Sequence, residues 1–231
     1  MTTKASGEVW ITLLNSGYGD ITIDWGDGTI KTYPHDRKIS GSYNHNYSDS
    51  SGHTVTIRGF NIIYLELMDL RLTHLDVSKC KTLNSLDCRS NRLTNLDVSQ
   101  NTMLQYLACF NNKLTNLDVS RNIALLELEC SMNQLTDIDV SQNTVLTDFN
   151  CSYNQLIDID VSQNTALRNF TCADNQLTRL DISNNTALSH LNCWQNQLQA
   201  DALDDILRKL MLSRHATMTP PPQFGVQTEL T

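Results

Sequence analysis

The chain has 231 residues, a formal net charge of −8 at pH 7 and 40% hydrophobic residues. Because it contains no run of lysine or arginine, nucleic acid and anionic membranes are not expected partners. No apolar run approaches the ~20 residues of a membrane-spanning helix, so membrane insertion is not expected either. The N-terminal sequence MTTKASGEVW also lacks the basic start and apolar core of a secretory signal peptide.

The N-terminal part of the chain predicts a small β unit, because apolar-rich runs alternate with turn sequences. These runs cover residues 8–14, 21–25 and 53–60. In the sequence DWGDGT, Gly26 and Gly28 permit positive φ, and the Asp27 carboxylate can accept hydrogen bonds from nearby backbone amides. A tight hairpin between two strands is therefore predicted at this turn.

This unit resembles the PKD (polycystic kidney disease) domain, an immunoglobulin-like β-sandwich. The resemblance rests on a WGDG-type turn at Trp25–Gly28, an H-x-Y motif at His45–Tyr47 and a T-V-T-x strand at Thr54–Ile57. It implies a β-sandwich-like cap over residues 1–60. It also assigns His45 to a structural motif, and not to catalysis.

From residue 61 onward the chain repeats every 21 residues, which predicts a solenoid. One column of leucines shows the period clearly: Leu83, Leu104, Leu125, Leu146, Leu167 and Leu188. A degenerate first repeat at residues 62–82 precedes the clear ones, so about seven coils are expected. Such an array is longer than the ~3 repeats that a stable solenoid needs.

Each repeat has the pattern L-x-x-L-x-C-x-x-N-x-L, which resembles the leucine-rich repeat signature over residues 62–198. The resemblance implies an α/β-type leucine-rich repeat solenoid that is mostly β, with a parallel concave sheet. The asparagine position is never broken: Asn91, Asn112, Asn133, Asn154, Asn175 and Asn196. We expect these side chains to bind the backbone groups that the turn after each strand leaves unpaired.

Cysteines also recur with the period of the repeat: Cys88, Cys109, Cys130, Cys151, Cys172 and Cys193. Their spacing reports the fold and not the redox compartment. We expect them to point inward as free thiols that act as small hydrophobic side chains. Cys80 lies outside this column and is expected near the surface.

The second half of each repeat, L-x-x-L-D-V-S-x-N, alternates apolar and polar residues. This alternation predicts a short extended convex side and not a helix. The aspartates of successive coils, such as Asp97 and Asp118, would stack and repel unless each carboxylate accepts hydrogen bonds from the following serine and turn amides. A calcium ladder is the alternative, but the Gly-rich nonapeptide of calcium-binding β-rolls is absent, so no metal is expected.

After Leu198 the repeat stops, and apolar residues continue at helical spacing. We therefore predict an amphipathic helix at residues 199–212 that covers the apolar end of the last coil. Residues 213–231 contain three consecutive prolines and no periodicity, so an irregular or disordered tail is expected there, without a closing strand. The predicted domains are thus the cap at 1–60, the solenoid at 61–198, the helix and the tail.

Candidate binding residues follow from the alternation along each strand, which places Leu86 and Cys88 inward and residues 85, 87 and 89 outward. The outward positions differ from repeat to repeat, so a binding surface can be built there on a fixed scaffold. Aromatic side chains are frequent anchors in interfaces. The aromatic candidates on or beside the concave face are Tyr64, Tyr106, Phe110, Tyr153 and Trp194. The alternative for Trp194 is packing under the C-terminal helix.

Three carboxylates on neighbouring strands form a second candidate feature, the acidic patch of Glu127, Glu129 and Asp148. This patch could meet a basic segment or a cation, and a merely solvated face is the alternative. The histidines fall in different elements and none lies in a nucleophile or metal motif, so the chain is not expected to be an enzyme or to need a cofactor.

The combination of a PKD-like cap, 21-residue repeats and a terminal helix resembles secreted or surface-anchored leucine-rich repeat proteins of bacteria. The resemblance implies an extracellular or cell-surface binding and adhesion module that contacts a protein partner through its concave sheet. Internalin-like adhesins share the repeat but have a helical N-terminal cap, so binding of a host receptor is not carried over. The alternative is a carbohydrate-recognition accessory module, in which Tyr106, Phe110 and Trp194 stack on a glycan.

Overall fold

The structure, a computed structural model, describes residues 1–3, 7–17, 19–34, 40–49, 51–199 and 217–218. Within these residues it contains β-strands and no helix. In chain order the strands are β1 (Thr2–Thr3), β2 (Gly7–Asn15), β3 (Ile21–Asp24), β4 (Ile30–Tyr33), β5 (Ser40–Tyr47), β6 (His53–Thr54), β7 (Thr56–Arg58), β8 (Ile62–Glu66), β9 (Leu72–His74), β10 (Ser85–Asp87), β11 (Tyr106–Ala108), β12 (Glu127–Glu129), β13 (Asp148–Asn150), β14 (Asn169–Thr171), β15 (His190–Asn192) and β16 (Thr217–Met218).

One 10-stranded sheet runs through the molecule in the order β16-β15-β14-β13-β12-β11-β10-β8-β2-β5. Strands β8 and β10 to β15 are parallel and stay in register, so that Leu65, Leu86 and Leu107 lie side by side. Each strand follows the previous one after one turn of the solenoid. The described part of the chain therefore makes about six turns, where the sequence predicts about seven coils.

The core of the solenoid consists of the leucine, phenylalanine and cysteine columns that the sequence places inward. Leu86, Leu107 and Cys109 are fully buried, and the rings of Phe149 and Phe170 stack with their centroids 5.5 Å apart. All seven cysteines are free thiols. Complete burial of an aliphatic side chain contributes about 2 kcal/mol, and each coil repeats this contribution several times.

The predicted asparagine ladder is confirmed. Asn133 is buried behind the turn that follows β12, where its Nδ2 donates to the carbonyls of Cys109 and Cys130, both at 3.1 Å. Its Oδ1 accepts a hydrogen bond from the Leu114 amide at 3.0 Å. The same pattern recurs in the neighbouring coils. Each asparagine thus joins its own coil to the preceding one.

A second asparagine ladder, not predicted from the sequence, lies just before the strands. Its members are Asn101, Asn122, Asn143, Asn164 and Asn185. In each coil the Nδ2 group donates to two carbonyls of the preceding coil, as Asn122 does to Val98 at 3.0 Å and to Asn101 at 2.9 Å. Cys80 occupies the equivalent position in the first coil, where it is half-buried against the core.

The convex side has neither helix nor strand in the clear repeats, and its aspartates behave as predicted. Asp97 accepts a hydrogen bond from the Ser99 amide at 2.9 Å, and the interaction recurs along the column. This backbone hydrogen bond lowers the pKa of the Asp97 carboxyl. The serines after the aspartates therefore stabilise a column of like charges.

In the N-terminal cap, the predicted hairpin is present between β3 and β4. Gly26 and Gly28 have φ values of 80° and 93°, and the Asp27 carboxylate accepts a hydrogen bond from the Thr29 amide at 3.0 Å. The single run expected at 53–60 is instead divided into β6, which pairs with β1, and β7, which pairs with β3. β5 was not predicted, because its composition is polar.

The residues that carry the PKD resemblance lie together in the cap. The Trp25 and His45 rings stack with centroids 5.0 Å apart, and the Tyr47 hydroxyl donates to the Trp25 carbonyl at 2.6 Å. His45 Nε2 lies 2.6 Å from Asp27 Oδ2. These contacts tie β5 to the β3–β4 hairpin. The assignment of the cap to the PKD family stays a prediction.

The cap is continuous with the solenoid. β2 pairs in antiparallel fashion with β8, and β1 pairs with β9, so the first coil is held by the cap on two strands. Apolar residues of the cap and of the coils form a single buried cluster. The N-terminal strands and the first coil thus share one sheet and one apolar core.

The predicted C-terminal helix at 199–212 lies outside the described residues from position 200 onward. Within the segment predicted as an irregular tail, the backbone of β16 pairs in parallel with β15. The sequence pattern did not indicate this strand. No helix among the residues described here has the length and apolar character needed to cross a membrane.

Candidate functional site

The outward residues of β8 and β10 to β15 form the concave face, in the rows that the alternation predicts. Register places Tyr64, Ser85, Tyr106 and Glu127 side by side on consecutive strands. In the next row Glu66 lies beside Asp87, and Glu129 beside Asn150. Side chains that were separated by 21 residues in the sequence are thus neighbours on one surface.

The structure brings the members of the acidic patch together. Glu127 lies directly beside Asp148, and Glu129 accepts a hydrogen bond from Asn150 Nδ2 at 2.9 Å. Partial burial, together with the negative charge of Asp148, raises the pKa of Glu127. Burial also raises the pKa of Glu129, against the effect of its hydrogen bond. A positive charge placed over this patch would relieve the repulsion between the carboxylates.

Tyr64 and Tyr106 lie in one row, with β10 between their strands. The Tyr64 hydroxyl donates to Glu66 at 2.9 Å, and burial together with this carboxylate raises the pKa of Tyr64 to about 12. Burial also raises the pKa of Tyr106. Both phenols are therefore neutral hydrogen-bonding groups at physiological pH, on rings that are partly exposed.

Arg89 organises this end of the concave face, although it was not among the candidate residues. Its Nε lies 3.3 Å from Asp87 Oδ2 and 3.1 Å from the Met68 sulfur, and its guanidinium lies 5.6 Å from the centroid of the Phe110 ring. Asp87 is only 5% exposed, and burial raises the pKa of its carboxyl while Arg89 lowers it. Arg89 therefore neutralises a buried carboxylate and lies between Met68 of the preceding coil and Phe110 of the next one.

Tyr153 and Trp194 do not join this cluster. Tyr153 occupies the left-handed position after β13, with φ of 54°, and is 49% exposed at the edge of the sheet. Met132 has the equivalent position one coil earlier and is also exposed. Trp194 is half-buried, and the helix proposed to cover it lies outside the described residues. The aromatic candidates thus divide into one cluster at the first coils and two separate residues.

Several positions of the concave columns are on the expected side but are buried: Asp87, Ala108, Ser131, Ser152 and Ala173. The physical reason is that these side chains are short, so they extend little above the backbone of the sheet. In the middle of the solenoid the accessible surface is therefore provided mainly by the residues equivalent to positions 85 and 87, which include the acidic patch.

The cap extends the concave face, which the sequence pattern does not indicate. Thr12 pairs directly with Glu66, and Leu14 with Tyr64, so the outward side of β2 continues the outward side of β8. Trp10 lies on the same side of β2 and is 51% exposed. Alternation alone places Trp10 on the outer face of a strand. It does not show that this strand joins the solenoid.

Catalytic and metal chemistry receive no positive support from the described residues. Burial raises the pKa of the Cys88 and Cys130 thiols well above the ordinary value, so these groups are protonated at neutral pH. No cluster of three or more His, Cys, Asp or Glu side chains that could hold a metal ion occurs in the described ranges.

No protein-family model and no curated protein matches the chain. Solved structures do match. A leucine-rich repeat protein of Leptospira interrogans is 25% identical, with a TM-score of 0.61 over 65% of this chain and 41% of that one. An internalin of Listeria monocytogenes is 23% identical, with a TM-score of 0.56 over 62% of this chain and 42% of that one. The match spans less than half of either solved chain. These neighbours are bacterial leucine-rich repeat proteins, and the chain shares their solenoid fold.

Proposed function

We propose that the chain is a non-enzymatic scaffold for protein–protein interaction, and that its concave sheet binds a polypeptide partner. The observation that carries this proposal is the contrast between the two sides of each strand. The inward positions repeat in every coil, whereas the outward positions change and gather aromatic and acidic side chains on one continuous surface. A fixed core with a variable face is the arrangement by which repeat proteins bind partners. The fold shared with bacterial leucine-rich repeat proteins supports the same function.

The extracellular or cell-surface location, and a role in adhesion, stay predictions from the resemblance stated in the sequence analysis. The location would be tested by fractionating cells that produce the natural protein and probing each fraction with an antibody against the chain. Recovery in the medium or at the cell surface is expected. Recovery in the cytoplasm alone would contradict this part of the proposal.

The carbohydrate alternative has less support. Stacking on a glycan needs aromatic faces that are open and close enough to meet neighbouring rings. The guanidinium of Arg89 already lies over the Phe110 ring. Trp194 is four coils further along, or roughly 19 Å away at the usual strand spacing. The arrangement favours a polypeptide, which can contact aromatic and acidic groups spread over several strands.

Selection from a random peptide library displayed on phage tests the proposal directly. The full chain is immobilised, and the affinities of enriched peptides are measured with Tyr106→Ala on the concave face and Ile157→Ala on the convex side as the matched control. Ile157 is 65% exposed, so its truncation leaves the fold intact. We expect Tyr106→Ala to lower affinity about tenfold, because interface aromatics dominate binding. The conservative variant Glu127→Gln repeats the test if Tyr106→Ala unfolds.

Failure to enrich any peptide, or peptides that respond to Ile157→Ala and to neither concave variant, would show that the concave sheet is not a polypeptide-binding surface. A glycan that binds the chain and responds to Tyr106→Ala would favour the carbohydrate alternative instead.

A further inference from the structure

We propose that the binding site crosses the boundary between cap and solenoid, and that its ligand is a polypeptide segment with an apolar anchor followed by basic side chains. The anchor would pack on a junction patch, which we define as Trp10, Leu14, Tyr64, Met68, Tyr106 and Phe110. The basic side chains would pair with the acidic patch. This inference rests on the proposed function, and it adds the chemistry and the spacing of the partner.

The junction patch is continuous because one sheet contains all of its strands. The pairs Thr12–Glu66 and Leu14–Tyr64 fix the register of β2 on β8. Continuing this register by two residues sets Trp10 level with Met68. Trp10 is 51% exposed and Met68 is 42% exposed, although both are large apolar side chains. Such a pair at the start of a concave face is suited to receive an apolar side chain from a partner.

Arg89 makes the patch rigid. Its guanidinium is held by Asp87 on one side and lies against Met68 and Phe110 on the others. Because its charge is neutralised by a buried carboxylate, Arg89 does not repel a basic ligand strongly. A preorganised surface loses little conformational entropy on binding, which favours affinity.

Charge complementarity identifies the rest of the partner. On the described concave strands, including β2, the outward carboxylates are Glu8, Glu66, Asp87, Glu127, Glu129 and Asp148. Arg89 is the one arginine or lysine on the same outward positions, and Asp87 already pairs with it. The unbalanced carboxylates favour a partner with lysine or arginine, and they exclude an acidic one by repulsion.

The distance between the two patches sets the spacing in the ligand. Leu14 on β2 and Glu127 on β12 lie in one row and are separated by four strand intervals, or ~19 Å at ~4.8 Å per strand. An extended chain that crosses the strands covers this distance in about six residues at ~3.3 Å per residue. We therefore expect the apolar anchor and the basic residues to be about six positions apart.

The peptides enriched on the full chain provide the test. We expect them to contain an aromatic or large aliphatic residue and, about six positions away, lysine or arginine. Trp10→Ala should lower their affinity about tenfold. The control is Ile30→Ala, which removes an exposed apolar side chain of the cap from a different sheet. It should change affinity less than about twofold, and circular dichroism should show that both variants are folded.

The charged part is tested by Glu127→Gln, with Asp137→Asn on the convex side as the matched removal of one negative charge. Glu127→Gln should lower affinity about threefold, and the difference from wild type should shrink in high salt, because the interaction is electrostatic. Asp137→Asn should have no effect.

Two results would overturn the inference while the proposed function remains. Enriched peptides could be acidic, or they could depend on Tyr106 and be insensitive to Trp10→Ala, which would confine the site to the solenoid. Peptides insensitive to every concave substitution would overturn the inference and the proposed function together.

Discussion

The cap and the solenoid consist of similar short strands, but they are stabilised in different ways. In the solenoid each contact recurs in the next coil, so Asn112, Asn133 and Asn154 bind equivalent backbone groups. In the cap each contact is made once, as in the hydrogen bond from Tyr47 to the Trp25 carbonyl. The solenoid therefore spreads its stability over many equal interactions, whereas the cap depends on a few interactions without substitutes.

The largest expected effect tests whether equivalent asparagines in different coils contribute equally to the free energy of unfolding. Asn133→Ala would leave the buried Leu114 amide without its partner and would remove one of two donors from each of the Cys109 and Cys130 carbonyls, which keep Asn112 and Asn154. We expect a loss of about 3 kcal/mol in the free energy of unfolding, measured by urea denaturation. Asn154→Ala should cost the same within about 1 kcal/mol, because its contacts are equivalent. A large difference between the two variants would show that the coils are not energetically equal.

In the cap, Tyr47→Phe removes one unique hydrogen bond and leaves the ring in place. Because the hydroxyl is buried and bonded to the Trp25 carbonyl at 2.6 Å, we expect a loss of about 1 to 2 kcal/mol in urea denaturation. Tyr153→Phe is the control, since its ring is 49% exposed, and it should change stability little. Equal effects of the two variants would contradict the importance assigned to the Tyr47 contact.

The acid stability of the cap should depend on Asp27. The Thr29 amide, with help from His45, lowers the pKa of this carboxyl from 3.8 to about 2. Because the folded-state pKa lies below the unfolded one, the stabilising contribution is complete above about pH 4 and is lost as the pH falls through about 2. Asp27→Asn should reduce this loss, measured by thermal unfolding between those pH values, and Asp137→Asn should not. If Asp27→Asn lost as much thermal stability at low pH as the wild type, the Asp27 hydrogen bonds would contribute little.

The smallest effect concerns thiol reactivity in the folded protein. Burial raises the pKa of the Cys80 thiol as well as those of the repeating column, but Cys80 is half-buried whereas the column is buried. We expect a thiol reagent to modify Cys80 at least about tenfold faster than the other cysteines, which should react only after denaturation. Mass spectrometry of the labelled peptides measures the order. Early labelling of Cys130 or Cys151 would mean that the solenoid opens locally.

The difference between contacts that recur in every coil and contacts that are made once also explains which parts of the structure the sequence predicted. Leu86, Cys88 and Asn91 could be assigned because a residue type that recurs with the repeat must have the same role in every coil. Asn101 recurs just as regularly in the second half of the repeat, two residues after the serine. Its regular spacing shows that the position is structural, but not which carbonyls the side chain binds. Periodicity thus predicts that a position is structural more readily than it predicts what the side chain binds.

In the cap and at the site, the deciding contacts are long-range and occur once. The split of the 53–60 run into β6 and β7 depends on their separate partners, β1 and β3. Trp10 joins the concave face only because β2 pairs with β8. The acidic patch could be located from the register of the repeat, whereas the contacts of Arg89 depend on side chains from three coils.

In the continuous sheet, the distance from the cap to any concave strand, measured across the strands, is a multiple of one strand interval. Inserting one 21-residue coil between β11 and β12 would move the acidic patch ~4.8 Å further from Trp10 and leave all inward contacts equivalent. Deleting one coil would move it the same distance closer. Duplication of one repeat in the gene would therefore lengthen the concave face by one strand interval. The site could then fit a longer bound segment while the core contacts stay the same.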